Sequence, residues 1–528
     1  MAAALVLTTI FIGSIPGLHG DEAWVVLRAV EITHGARPFS GMNFYTGALN
    51  AYLAWPFLAA TGYQFWALRV ASALMNMFAV LFALDIVRTL HPDKPAVCRW
   101  TAALWVTSVP FVLYPRFAVE MSMLTPVLVL GAIWLLTVAL RSESGVRVWA
   151  TGLGSGFLLG VAVYSHVVTI AIVVALGLGA LAGFGFALFR RRVTWLVAVG
   201  LLVALIPTVI RFAHEAHQQA HEWTSQETSP SLASQRVSAA FSGLTRRLPS
   251  LREQLRDLEA LPRVMANIID GGIMFQRFTG ERLVPVIPYF SIALVGLGIA
   301  CWLLTRHQPI ARIDRAMLVA WLAMPIAALM IAPHIALGYF EFPALVAPYA
   351  LVRFGLASVQ GEDAARIYRR IGRGVLAAVL TIQTGYVAVD YFFAFARSGG
   401  RASWFDLGTR TTETSDDFIR SDRLYRQLVA SGVQEVIAPI RIVWTLEAED
   451  VGSHHFVELT PLDSLWNAAK SPRTKVGRVA FIAYRAAGAR GYPQIILQTM
   501  PRFDVGHVEY ERATGLDENF MVFFCDRR

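Results

Sequence analysis

Long apolar runs, separated by short polar turns, fill most of this chain from its start to about residue 396. A helix needs roughly 20 apolar residues to cross the hydrocarbon core of a bilayer. Runs of about that length or slightly shorter fall near 1–18, 65–90, 98–115, 121–140, 148–165, 167–189, 193–211, 285–305, 316–333, 340–357 and 374–396. The pattern predicts an α-helical polytopic membrane protein with about 11 transmembrane helices. Segment 44–61 is also apolar, and Pro56 with its aromatic content suits an interfacial or re-entrant helix, with a span as the alternative. Ala2–Leu18 has no basic residue before it and many spans after it, so it reads as a first span and not a cleaved signal; its missing basic flank is consistent with a start upstream of Met1.

Orientation follows from the basic residues. Arg88, Lys94 and Arg99 occupy one loop, Arg141 and Arg147 the next on that side, then Arg190 to Arg192, then Arg306, Arg312 and Arg315, then Arg366, Arg369, Arg370 and Arg373. All five sets fall on one side if the N-terminus is cytoplasmic, as the positive-inside rule requires. Three larger segments then face outward: about 19–64, about 212–284 and the tail 397–528. The second carries Arg246, Arg247, Arg252, Arg256 and Arg263 among apolar residues and reads as interfacial helices broken at Pro249 and Pro262. The tail has a helix-like run Asp422–Ser431 and strand-like runs Glu435–Ile442, Val479–Arg485, Ile495–Thr499 and Phe520–Cys525. That mixture predicts a small extracytoplasmic α/β domain at 397–528 behind a membrane domain at 1–396.

Composition agrees with lipid as the solvent. Charged residues are 16% of the chain, against about 25% in soluble domains, and mean hydropathy is +0.51. The net charge of +9 belongs largely to the membrane-side loops, which argues against nucleic acid as its partner. Cys98, Cys301 and Cys525 form no paired spacing, so no disulfide framework is indicated.

Candidate chemistry gathers at the outer turns. Gly20-Asp21-Glu22-Ala23-Trp24 sets two carboxylates where the chain leaves the first span. A carboxylate there can reach a substrate whose tail lies in lipid and whose head lies in water, and can act as a general base toward a hydroxyl. Equally, Asp21 can be the N-cap of a helix running to about Thr33. Tyr114-Pro115-Arg116-Phe117-Ala118-Val119-Glu120 fills a tight outer turn, where Arg116 and Glu120 are either an ordinary (i, i+4) pair or a phosphate-binding Arg beside a second carboxylate. His166 follows Tyr164 and Ser165 at another outer turn, and His334, Tyr339 and Glu341 form a third group. Asp85 and Asp390, near span ends, read as snorkelling or paired residues. The chain has no P-loop, GxGxxG, HExxH or Cys/His metal spacing, which weighs against an ATP-driven pump or a zinc enzyme. A carboxylate pair is able to hold a divalent metal, but nothing in the spacing demands one or specifies its ligands.

The N-terminal third resembles the type C (GT-C) membrane glycosyltransferases that use lipid-linked sugars, the superfamily of protein O-mannosyltransferases and the lipid A aminoarabinose transferase. The resemblance rests on His19-Gly20-Asp21-Glu22-Ala23-Trp24 after a short first span, on His34-Gly35-Ala36-Arg37-Pro38-Phe39, on Tyr45-Thr46-Gly47-Ala48-Leu49, on Phe65-Trp66-Ala67-Leu68-Arg69-Val70 at the start of the next span, and on Arg116 with Glu120 in the second outer loop. It covers roughly 1–190 well and the later spans loosely. The chain departs from relatives in having Glu at 120 where many have Asp, and Gly338-Tyr339-Phe340-Glu341 where an Arg-Tyr is usual.

The resemblance implies a polyprenyl-phosphate sugar as donor and a glycan, lipid or protein as acceptor, met at the outer face of the cell (inner) membrane. Asp21 would take the acceptor's proton, Arg116 would stabilise the departing lipid phosphate, and Glu120 would orient Arg116 or the acceptor. Glu22, His166, Tyr339 and Glu341 would contact substrate. A single displacement would invert the anomeric centre. The competing readings are a transporter or flippase for a lipid-linked saccharide, which should show midplane sites and paired repeats, and a ligase acting on a lipid diphosphate. Convergence of Asp21, Arg116 and Glu120 on one cavity at the outer interface would favour the transferase.

Overall fold

The structure is a computed structural model. It describes residues 2–13, 17–42, 46–93, 95–107, 111–112 and 114–225, isolated positions between 312 and 393, and 402–404, 415–419, 421–461, 477–484, 505–511 and 520–527.

After a short helix α1 (Ala2–Thr9), strand β1 (Leu18–His19) leads into α2 (Gly20–Thr33). Then follow α3 (Leu49–Ala60), α4 (Phe65–Leu90), α5 (Pro95–Val106), α6 (Glu120–Met123), α7 (Thr125–Arg141), α8 (Gly145–Ser165), α9 (Ile170–Phe184) and α10 (Arg192–Ser225). Among the described residues, five stretches are long and apolar enough to cross a membrane: Phe65–Leu90, Glu120–Arg141, Gly145–Ser165, Val167–Arg190 and Arg192–Ala213. These match the expected spans 65–90, 121–140, 148–165, 167–189 and 193–211 within a few residues.

At the expected spans 1–18 and 98–115 the structure describes α1, of 8 residues, and α5, of 12; residues 1, 14–16, 108–110 and 113 lie outside the described set. The chain breaks after α1, with Phe11 at φ 56° in the left-handed region. The expected spans at 285–305 and 340–357 lie outside the described residues, and those at 316–333 and 374–396 are described only in part. The apolar run at 44–61 becomes α3, which carries Pro56 in its interior and packs on α2 and α4.

Close approach of α8 and α10 depends on small residues. Gly152, Gly156 and Gly160 recur every fourth residue on α8 and face Leu196, Val197, Leu201 and Ala204 of α10, while Gly200 of α10 faces Leu153. In lipid, such small-residue seams replace the hydrophobic effect as the means of helix association. A Cβ on Gly156 would collide with the Val197 carbonyl.

In the tail, α11 (Ser421–Ala430) precedes β4 (Val433–Ala438), α12 (Ile440–Asp450), β5 (Glu458–Pro461), β6 (Arg478–Tyr484), β7 (Val505–Glu511) and β8 (Phe520–Arg527). The five strands form one sheet of order β5-β4-β6-β8-β7, parallel around β4 and antiparallel across β6, β8 and β7. The strand expected over Glu435–Ile442 stops at Ala438, because Pro439 ends the ladder and starts α12. Residues 495–499 lie outside the described set.

A second sheet ties the tail to the start of the chain: β3 (Ser415–Ile419) pairs antiparallel with both β2 (Ala402–Trp404) and β1. Helix α12 packs along α2, with Trp444 and Ala448 joining the core formed by Trp24, Val25, Val26 and Ala29. Replacing Gly156 by Leu should part α8 from α10 and lower the thermal unfolding midpoint in detergent by several degrees, whereas Gly145→Leu, with no atom near its Cβ position, should leave it close to wild type.

Candidate active site

The Asp21-Glu22 turn is built around a buried ion pair. Glu22 and Arg69 are both fully enclosed. Arg69 presents its guanidinium as a fork, with Nε donating to Glu22 Oε1 at 2.8 Å and Nη2 to Oε2 at 2.6 Å. Its remaining donors reach the carbonyls of Ile12 at 3.0 Å and Gly17 at 2.7 Å. Glu22 also accepts from the backbone N–H of His19 at 3.2 Å and of Ala118 at 3.0 Å. One carboxylate therefore joins α2, α4, the end of α1 and the turn before α6. A buried pair holds only when its lone pairs and protons are satisfied in this way. Glu22, expected at a substrate, is enclosed by protein and acts as the fastener of the turn.

That fastening leaves Asp21 differently placed. His19, not Asp21, is the N-cap of α2: its Nδ1 accepts from the Asp21 N–H at 3.0 Å, and Glu22 returns the bond in a capping box. The His19 ring is seated edge-on against Phe117 at 4.6 Å between centroids. Asp21 stands at the second helical position with its side chain 17% exposed. Among the described residues its Oδ1, though buried, has no hydrogen-bond partner. Its carboxylate also sits where the helix amino end favours negative charge.

Glu120 opens α6 and accepts from Asn50 Nδ2 at 3.3 Å. The charges of Asp21 and Arg211 both act on it, which brings residues from α2, α6 and α10 to one end of the bundle. Arg211, in the outer part of α10, is fully enclosed, donates Nη1 to the Tyr164 carbonyl at 2.9 Å and lies 5.1 Å over the Tyr164 ring. The turn at 164–166 is held against the 46–48 segment by the Gly47 N–H to the Ser165 carbonyl at 2.9 Å and by a bridge between Thr46 and His166. A side chain at Gly47 would lie 2.6 Å from the Tyr164 carbonyl, so glycine permits this contact. His166 caps the turn by accepting from the Val168 N–H at 3.3 Å. Burial, and secondarily the Arg211 charge, push its imidazole down to about 3, so it is neutral at ordinary pH.

Arg116, expected at a phosphate, reaches the end of α1. It is fully enclosed, its Nη2 donates to the carbonyls of Leu7 at 2.9 Å and Ile10 at 2.6 Å, and its guanidinium lies 4.9 Å over Phe392. It satisfies the carbonyls at the end of α1, which a helix C-terminus leaves without intrahelical partners. Arg211 is the cation whose field reaches Glu120 and His166. Arg69 lies in the Phe65–Val70 motif, which assigns it no role, and Arg211 lies in no motif; each is a charge inside an apolar run, which is the signal that an intramembrane ion has a partner or a task. Tyr339 and Glu341 lie outside the described residues. Among the described residues, no three His, Cys, Asp or Glu side chains gather as a metal site. An apolar cavity of about 590 Å³ opens toward Leu90, Arg141 and Arg191 at the opposite end, and none of these candidate residues lines it.

Residues 47–210 match the family model of dolichyl-phosphate-mannose-protein mannosyltransferases. Over 99% of this chain and 96% of the other, the fold superposes on ArnT from Cupriavidus metallidurans bound to undecaprenyl phosphate, at 12% identity and a TM-score of 0.55. By fold, then, the chain is similar to ArnT, and residues 47–210 carry the mannosyltransferase family's pattern. The oligosaccharyltransferase of Archaeoglobus fulgidus (in complex with Zn and sulfate) is a weaker match, at 13% identity and a TM-score of 0.48, over 98% of this chain and 71% of that one. No curated protein matches the sequence.

Two outcomes follow for this site. Glu22→Gln leaves the Arg69 charge buried without its counter-ion, and should cost about 3–5 kcal/mol of stability, read as a lowered thermal midpoint in detergent. For His166, the unfolded ring takes up a proton below about 6.5, which the folded ring refuses down to about 3. Its contribution to stability is therefore complete above pH ~6.5 and is lost as pH falls toward ~3, at up to about 1.4 kcal/mol per pH unit. In His166→Gln the unfolding midpoint should fall less steeply with acid than in wild type.

Proposed function

We propose that this chain transfers a sugar from a polyprenyl-phosphate donor to an acceptor hydroxyl at the outer face of the inner membrane, with inversion at the anomeric carbon. The observation that carries the reading is the Asp21 carboxylate, held by the Glu22–Arg69 fastening beside Glu120 and Arg211 with one buried oxygen that no described residue engages.

Asp21 Oδ1 accepts the proton of the acceptor hydroxyl as that oxygen bonds to the anomeric carbon. The bond from the anomeric carbon to the phosphate oxygen breaks, and its electron pair leaves on the polyprenyl phosphate. The extra negative charge on that phosphate needs a fixed cation in a dry site. Arg211 takes this role in place of Arg116. Glu120, which opens α6 and accepts from Asn50, orients the acceptor. His166, neutral and buried, contributes shape and hydrogen bonding, not charge. Support for the donor class comes from the ArnT structure, whose lipid is undecaprenyl phosphate. The basic residues Arg141 and Arg191 lie toward the opposite end of the bundle from Asp21, which supports an outward-facing site and an extracytoplasmic tail domain over 397–528.

Membranes supplied with labelled polyprenyl-phosphate sugars test the reading. Asp21→Asn should lower transfer by roughly 10²–10⁴-fold, with donor retention on the purified protein little changed; Arg211→Gln should weaken donor retention as well as rate. Equal transfer by wild type and Asp21→Asn would remove Asp21 from the mechanism. Movement of the labelled lipid across the membrane with no transfer by wild type would favour transport.

A further inference from the structure

The turn that carries Asp21 is gripped by the tail on two sides. On one side, β3 pairs with β1, so that Leu18 stands opposite Ile419 and His19 opposite Phe418. His19 is the residue that caps α2 through the Asp21 N–H. On the other side, the first turn of α12 lies directly on Gly20. A Cβ built at position 20 would stand 2.8 Å from Arg441 Cβ, 2.9 Å from its Cγ and 3.3 Å from its Cα. Further along, Trp444 and Ala448 continue the contact into the apolar face of α2. Glycine at position 20 has ordinary helical surroundings and needs no left-handed backbone; what it supplies is room for α12 next to the candidate base.

We propose that Gly20 and Arg441 are positioning residues, and that the tail sets the location of the Asp21 carboxylate instead of merely resting on the membrane bundle. This rests on the catalytic role proposed for Asp21. The Glu22–Arg69 pair fixes α2 to the bundle from below; α12 and β3 fix the same turn from above. Asp21 lies between those two attachments, one residue from each. A displacement on the order of 1 Å at such a point costs about 10²-fold in a reaction that depends on alignment. The site is therefore complete only when the tail is docked.

The test is a suppressor pair in the full chain. Gly20→Ala wedges α12 away from the turn; Arg441→Gly removes the two side-chain atoms that the new methyl would meet. We expect Gly20→Ala to lower kcat at least tenfold with KM for the polyprenyl-phosphate sugar within about twofold, and Gly20→Ala with Arg441→Gly to recover most of that loss. Wild-type kcat in Gly20→Ala, or a double variant as slow as the single one, would overturn the proposal. Should Gly20→Ala fail to fold, Trp444→Ala loosens the same contact from the far side, and an unchanged kcat there would overturn it equally. Hydrogen exchange separates this proposal from the reading it rests on. Amides at the start of α2 should lose protection in Gly20→Ala and regain it in the double variant, whether or not any sugar is transferred. Unchanged protection would refute the docking, whereas restored protection in a protein with no transferase activity would refute only the function.

Discussion

The Glu22–Arg69 ion pair is the constraint on which the rest of this site depends. Two charges in an apolar bundle are costly unless each is fully engaged. Here the engagement is shared among four pieces of chain: α4 provides the guanidinium, the residues after α1 provide carbonyls, and the turns at His19 and Ala118 provide N–H groups. Because each group needs the others, the first outer turn, the second outer turn and the broken end of α1 are set in one arrangement. Asp21, one residue before Glu22, keeps some exposure while Glu22 is fully enclosed, and the proposed chemistry rests on that difference.

The three fully enclosed arginines divide the labour by what they touch. Arg69 meets a carboxylate and holds the turn. Arg116 meets the carbonyls at the end of α1, where the chain turns at Phe11. Arg211 contacts the Tyr164 carbonyl and ring while its charge acts on Glu120 and His166.

Much of this was legible in the order of residues. The five crossings from Phe65 to Ala213 follow from run length alone, and the alternation of Arg-rich turns puts Asp21, Glu120 and His166 at one end. The helix from position 20 to Thr33 could be foreseen, but its cap could not, because histidine is an uncommon N-cap and the choice depends on Phe117 and β3. The engagement of Arg116 by the end of α1 was hidden for a related reason. Spacing shows that Arg116 and Glu120 are four residues apart, but not that a break in α1 turns carbonyls toward the first of them. In the tail, the apolar pattern of Glu435–Ile442 reads as strand throughout, and Pro439 marks the switch to α12. The packing of that helix on α2 is a contact between residues more than 400 positions apart, which no local pattern records.

The most direct measurement is an experimental structure of the full chain in lipid nanodiscs with a non-hydrolysable polyprenyl-phosphate sugar. The account predicts the phosphate within hydrogen-bonding distance of Arg211, and the anomeric carbon on the side from which a hydroxyl bound at Asp21 Oδ1 can attack. A phosphate seated at Arg116, or a sugar with Asp21 turned away from it, would contradict it.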